Sequence, residues 1–268
     1  MVDKSEKFNW LVRVGYFSRA VLYTVLGYIA LTSAGEISEG TDGIFKAVEN
    51  LPGGTALLWI LVIGLAAYAL FRFASPLFDI ENNGSDTKGW GKRIGHAGSG
   101  IAHLVLAWTA YQFATGSGGG QGSAGASQAA AGVLSISFGG VVIGILGLAF
   151  FIAAAAQAKK AISGDFMNRI SASAPGFTRM LGGAGFAARA VVYAVIGWSL
   201  FQTGFLSSGA ENVKTLGGAV ASLAGTGWLF TVTAIGLLLF GLFSFILARY
   251  RIIPELDRDA GVPEFRTA

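Results

Sequence analysis

Arginine and tyrosine recur at a fixed spacing inside apolar sequence. Gly15, Arg19, Tyr23 and Gly27 follow one another every fourth residue, and the order returns as Gly185, Arg189, Tyr193 and Gly197. Between them lies a degraded copy: Gly95, Ser99, His103 and Ala107. Residues four apart stack on one helix face, so each arginine has a phenol one turn away. About six residues beyond the end of a membrane helix, a guanidinium lies about 9 Å deep. A charge at that depth costs a few kcal/mol unless it snorkels or finds a partner. Three readings follow. Arg19 and Arg189 snorkel over Tyr16 or Tyr23 with cation–π contact. Alternatively they pair with a loop carboxylate, Asp79 or Asp165. In the third reading Arg19 and Arg189, with Tyr23 and Tyr193, hold an anionic headgroup or solute.

His96 and His103 are the other candidates. Seven residues apart, they share a helix face about 10 Å from each other. Imidazoles at that spacing suggest metal, haem or a proton relay. Bis-histidine haem needs ligands from both sides of the ring, which one straight helix cannot supply. The chain has two histidines and no cysteine. The favoured reading is therefore polar intramembrane residues, with His103 as a hydrogen-bonding stand-in for the repeat tyrosine. No Ser-His-Asp set, paired carboxylates or zincin helix is visible, and the Gly-rich stretch 116–125 has no phosphate-loop lysine. The expectation is a protein that is not an enzyme and carries no cofactor or metal.

A membrane is the setting that composition demands. Charged residues make up 13% and hydrophobic residues 53% of the 268, whereas soluble chains carry about 25% charged. The uncharged runs 94–114, 133–156 and 216–248 can each cross a hydrocarbon core, which takes about 20 helical residues. The net charge of +4 does not argue for a nucleic-acid partner, because the basic residues sit at the ends of apolar runs. Lack of cysteine excludes disulfides, thiolate metal sites and thiol nucleophiles.

Spanning helices are expected at residues 11–33, 55–74, 93–114, 138–158, 183–203 and 228–250. Short amphipathic elements at 44–51 and 216–223 should lie at the outer surface, with a degenerate third near 127–134. Residues 76–92 read as a turn-rich loop, 115–132 as a flexible Gly/Ser/Ala linker and 159–179 as a basic loop. Thr32-Ser33-Ala34 resembles a signal cleavage site, but the matching segments at Gly95 and Gly185 are internal, so the first run is read as retained.

The second helices recur too. Gly64-Leu65-Ala66-Ala67-Tyr68 matches Gly147-Leu148-Ala149-Phe150-Phe151 and Gly236-Leu237-Leu238-Leu239-Phe240. The unit is then a helix pair, written three times with a period of roughly 80 to 90 residues. Apart from Arg19 and Arg189, every lysine and arginine except Lys46 and Lys214 falls on one side. Positive-inside bias puts both termini in the cytoplasm. Each pair starts inside, so the copies are parallel and related by an axis along the membrane normal. The expected fold is an all-α membrane protein of six transmembrane helices in three parallel two-helix repeats, pseudo-threefold in arrangement. The repeats span 1–80, 81–165 and 166–250, and 251–268 forms a cytoplasmic tail. The interior near the axis should be dry and lined by glycine and alanine.

Arg13-Val14-Gly15-Tyr16-Phe17-Ser18-Arg19 with Tyr23, Gly185-Phe186 with Arg189 and Tyr193, and the Gly-Leu-x-x-aromatic of the second helices resemble a bacterial integral-membrane family known as domain of unknown function 1206. The resemblance covers nearly the whole chain. The middle copy departs, with His96, Ser99 and His103 where the others have an aromatic, arginine and tyrosine. It implies six helices in the bacterial cytoplasmic (inner) membrane and implies no activity.

Gly15, Gly27, Gly95, Gly185 and Gly197 read as helix-packing positions, where small residues let backbones approach. Trp108, Trp198 and Tyr28 occupy one repeat position, and Trp59, Trp90 and Trp228 fall near span ends, as in an interfacial belt. The preferred function is an accessory or structural membrane protein that binds lipid, including anionic lipid, or an integral-membrane partner complex. The alternatives are a small-solute or anion transporter along the pseudo-axis, and a histidine-based redox or metal carrier.

Overall fold

The computed structural model describes residues 4–32, 41–77, 84, 86–117, 122–207 and 209–253. Nine α-helices occur among them: α1 (Lys4–Thr32), α2 (Thr41–Glu49), α3 (Gly54–Leu77), α4 (Thr87–Ala114), α5 (Gly122–Leu134), α6 (Gly139–Ser163), α7 (Thr178–Phe205), α8 (Leu216–Ala221) and α9 (Trp228–Tyr250). The described residues contain no strand beyond one isolated antiparallel bridge, Ile170 to Arg251. Asp79 and the tail from residue 254 lie outside them.

Five of the long helices are apolar enough to cross a membrane: 12–32 of α1, then α3, α6, α7 and α9. The third expected span, α4, is longer than four of these five at 28 residues. Its polar content, from Lys88 to His103, keeps it out of that set. Outward-facing side chains are large and apolar, among them Ile63, Leu70, Ile145, Ile152 and Val232. Water would penalise such a surface, whereas it is what helices facing hydrocarbon should show. Trp59, Trp90, Trp108, Trp198 and Trp228 are all exposed.

Several element boundaries differ from the sequence expectation. α3 runs through Pro76 to Leu77, because a proline one residue from the end has almost no ladder left to break. α4 starts at Thr87, inside the expected loop, where the Asp86 carboxylate accepts from the Gly89 N–H at 2.9 Å. α6 carries Lys159 and Lys160 within the helix and stops at Gly164, whose φ of 72° closes it in the left-handed region. The supposed linker 115–132 contains most of α5, since alanines there favour helix over coil. The short elements each bury an apolar face: Ile44, Phe45 and Val48 of α2 and Ala219 and Val220 of α8 are buried.

The long helices pack side by side in the order α4, α3, α1, α9, α7, α6. Neighbours run antiparallel, as the pairs Gly15–Tyr68 with Ser18–Gly64, and Gly185–Phe240 with Ala188–Gly236, show. Glycines sit where backbones meet. A Cβ on Gly15 would lie 3.0 Å from the Tyr68 Cα, and one on Gly185 would lie 2.7 Å from the Phe240 Cα. On Gly27 it would lie 2.5 Å from the Leu238 nitrogen, and on Gly197 3.1 Å from the Gly147 carbonyl oxygen. Gly95 is a correction: no described atom lies within 4 Å of its would-be Cβ. The residue that should meet it by analogy, Phe151 of α6, packs against Phe201 and Gly197 of α7 instead. Gly98, the counterpart of Ser18, is open as well. Among the described residues α4 and α6 make no extended contact, and α5 touches both.

The interior is also not the glycine- and alanine-lined space expected. Tyr16, Tyr68, Phe71, Phe240 and Phe243 are all buried there, and their rings touch edge-to-face or tilted. The small residues are spent on the helix crossings, which leaves the volume between helices for rings.

Candidate functional site

The aromatic core surrounds arginines. Arg19 of α1 is 6% exposed, so it does not snorkel. Its Nε donates to Ser244 Oγ of α9 at 3.2 Å and its Nη1 donates to Tyr68 Oη of α3 at 3.0 Å. Its guanidinium carbon lies 4.6 Å from the Tyr16 ring centroid and 4.9 Å from that of Phe240. Arg189 of α7 donates to Tyr193 Oη one turn further along its own helix. It stands 5.6 Å from the centroid of Tyr23 and 4.6 Å from that of Phe240. Tyr23 therefore serves Arg189 rather than the arginine of its own helix. Both guanidiniums share the Phe240 ring, which puts them within about 10 Å of each other.

A third arginine joins them. Arg72 of α3 lies 5.0 Å from the Tyr68 centroid and donates to His96 Nδ1 of α4 at 2.5 Å. His103 donates from Nδ1 to the Ser99 carbonyl at 2.6 Å and packs its ring 4.6 Å from Tyr68. The Tyr68 hydroxyl is within electrostatic reach of Arg19, Arg72, Arg189 and Arg251. The candidate residues Arg19, Tyr23, Arg189, Tyr193 and His103 thus converge on Tyr68 and Phe240. His96 joins through Arg72, and a cation at its Nδ1 does not fit a metal set. No group of three or more metal-type ligands occurs among the described residues.

No described carboxylate reaches Arg19 or Arg189. Asp165, one of the expected partners, is exposed on the 3₁₀ turn Asp165–Arg169, with its N–H on Ser163 Oγ. Rings and hydroxyls solvate a guanidinium, each desolvated cation–π contact contributing about 2 kcal/mol, but they do not neutralise it. Two like charges 10 Å apart repel by about 2 kcal/mol at an effective dielectric of 20. Arg189 also keeps a buried Nε with no hydrogen-bond partner. Among the described residues, the cluster lacks an anion.

Sequence reasoning missed Tyr68, Phe240 and Ser244 as partners. A signal existed, because Tyr68 and Phe240 end the repeated Gly-Leu-x-x-aromatic, and Arg72 and Ser244 each follow four residues later. Nothing in a linear pattern, however, tells which arginine an aromatic on another helix will meet. Tyr68→Phe should cost about 1–3 kcal/mol, because a buried charged donor loses its acceptor. The drop in apparent melting temperature in detergent measures it.

The family model described as Domain of Unknown Function (DUF1206) matches residues 14–78, 94–164 and 184–251. The chain belongs to that family. The three matched stretches each begin at or just before one of the glycine-led segments and close after the paired helix, in register with α1–α3, α4–α6 and α7–α9. A Bacillus subtilis (strain 168) protein described as uncharacterized protein YxxB is 28% identical over 263 residues, covering 92% of this chain and 94% of its own. No solved structure matches. All the residues of the arginine cluster lie within the matched stretches. Arg13 donates to the carbonyls of Ala248 and Arg249 at 2.8 and 2.5 Å, tying α1 to the open end of α9.

Proposed function

We propose that this DUF1206 protein is a non-enzymatic multipass membrane protein that holds an anion of the phosphate or carboxylate type between Arg19 and Arg189. The observation that carries this reading is the buried Arg19 guanidinium and the half-buried Arg189 guanidinium sharing Phe240 without a described carboxylate. Uncompensated buried charge is costly, whereas the same charge with a bound counter-anion is a binding site. Tyr193, Tyr68 and Tyr23 frame it, and each can turn a hydroxyl toward the anion.

The same reading takes α4 as the sixth span, because its length and antiparallel fit beside α3 make a membrane-crossing helix of it despite His96 and His103. The repeats are then 1–80, 81–165 and 166–250, parallel and pseudo-threefold, with the middle one opened. Both termini face the cytoplasm, where most lysines and arginines gather, in the bacterial inner membrane. The anion is supplied by a membrane lipid or by a partner complex docked in the bilayer. Purification straight from native membrane, without detergent exchange, tests the reading. Acidic phospholipid should be retained several-fold above its share of the bulk membrane. A folded preparation free of lipid, partner and bound anion would overturn it, and saturable uptake of a soluble anion into vesicles would favour a transporter.

A further inference from the structure

We propose that the anion enters from the end of the bundle where α1 begins and α9 stops, and that Tyr16 beneath Arg251 is the gate it passes. The inference rests on the anion reading above and adds the entry path and what closes it.

Guanidiniums and rings alternate from that end inward. Arg251 follows the last residue of α9, and its guanidinium carbon lies 5.1 Å from the Tyr16 centroid. Arg19 lies 4.6 Å from the same centroid. Tyr16 is therefore the ring shared by Arg251 and Arg19, as Phe240 is the ring shared by Arg19 and Arg189. Counted back from Tyr250 along α9, Ser244 is about 9 Å deep and Phe240 about 15 Å deep. Arg189, counted from the start of α7, is about 16 Å deep. The cations thus descend in steps, each step bridged by one aromatic ring.

The charge is confined to one half of the bundle. From the cluster to the opposite end, residues 20–32 of α1, 54–67 of α3, 190–205 of α7 and 228–239 of α9 contain no charged side chain. α2 covers that end, where Phe45 is fully buried and meets Phe113 in the last turn of α4 at 5.9 Å. A path lined by one sign of charge between apolar walls focuses its field at its mouth and draws in the opposite ion. Here the mouth is at Arg251.

What closes the mouth is small. Tyr16 is 2% exposed and sets its ring edge-on to Tyr68 at 5.7 Å. Arg251 is held over it by a short strap. The Ser171 N–H donates to the Tyr250 carbonyl at 2.9 Å, and the Ile252 N–H donates to the Arg169 carbonyl at 3.0 Å. Two backbone hydrogen bonds outside the helices are the kind of structure that opens locally while the core stays folded. With the strap lifted and Tyr16 turned aside, Arg251 and Arg19 face one continuous passage.

Ser244→Cys tests the path, since Ser244 Oγ takes the Arg19 Nε hydrogen bond and the chain has no other thiol. In sealed phosphatidylcholine vesicles, membrane-impermeant methanethiosulfonates are added to one face at a time. Exposed Ala172→Cys and Ala224→Cys identify the two faces and give each its reference rate. Relative to these, the anionic sulfonatoethyl reagent should modify Ser244→Cys several-fold faster from the Ala172 face than from the other. It should also outpace the cationic trimethylammonium reagent. Tyr16→Ala should speed both reagents. Because that variant could misfold, Arg251→Gln provides a second arm at the helix end: it should slow the anion and speed the cation. Inorganic phosphate should protect the thiol if the anion is soluble, and phosphatidylglycerol in the vesicle should protect it if the anion is a headgroup. An equal or faster rate from the Ala224 face overturns the path. So does a Ser244→Cys thiol left unmodified while Ala172→Cys reacts, an Arg251→Gln that changes neither rate, or protection by neither anion. If acidic lipid or phosphate is still retained in an arginine-dependent way, the anion reading survives that failure. If nothing is retained, both fall.

Discussion

Arg19→Leu combined with Arg189→Leu should strip the retained acidic lipid from the protein while leaving it folded. Removing one member of a buried charged set normally costs about 3–5 kcal/mol, because the partner is left uncompensated. Here the partners are hydroxyls and rings, so no opposite charge is stranded. Ser244 already donates to the Phe240 carbonyl at 2.8 Å and needs no arginine. Only the Tyr68 and Tyr193 hydroxyls lose a donor, at about 1–3 kcal/mol each. Against that stands relief of two desolvated like charges, a change of similar size and opposite sign. The melting temperature in lipid-free detergent should therefore move by a few degrees at most. Lipid retention, measured by mass spectrometry of protein taken directly from membrane, should fall to background. If the arginines were purely structural, the order would reverse: the variant would unfold and any lipid it kept would be unchanged. Arg19→Lys separates charge from geometry, because an ammonium has no planar fork to bridge Ser244 and Tyr68.

Gly27→Ile should abolish folding, whereas Gly95→Ile should not. At Gly27 the new Cβ would sit 2.5 Å from the Leu238 nitrogen and 2.8 Å from the Ala234 carbonyl oxygen. Those are backbone atoms of α9 and cannot rotate away. The α1–α9 crossing also holds Gly241 against Thr24 and Arg13 against the end of α9. Opening it by an ångström loosens the cluster around Arg19. Overpacking costs about 1–3 kcal/mol where side chains can yield, and more is expected where only main chain faces the intruder. At Gly95 the Cβ enters open space, and replacing a helical glycine there gains back part of its entropy cost, about 0.5–1 kcal/mol. Size-exclusion profiles and melting temperatures of the two variants in one detergent read the contrast. An unfolded Gly95→Ile would mean that something packs on α4 at that point.

Lipid-facing and crossing residues were legible from composition and spacing. The apolar runs became α3, α6 and α9 nearly at the expected limits, with 228–250 exact to the residue. The fourfold spacing of Gly15 and Gly27, and of Gly185 and Gly197, marked real crossings, because helix geometry alone puts every fourth residue on one face. The arginines were singled out for the right reason, a charge in apolar sequence. Their partners were not, because Tyr68, Ser244 and Phe240 belong to helices 49 to 225 residues away along the chain.

What the sequence determined by itself was the list of long helices, their apolar faces and the positions where something small or something charged had to be placed. Those follow from local periodicity and from the cost of putting charge or bulk against hydrocarbon. Which helices touch was decided only in three dimensions. Gly95 carries the same mark as Gly15 and Gly185, yet no described residue packs on it, because Phe151 and Gly147 find a tighter fit on α7 than on α4. A glycine offers a close approach; whether a neighbouring helix takes it depends on the competing surface that the rest of the fold brings within reach.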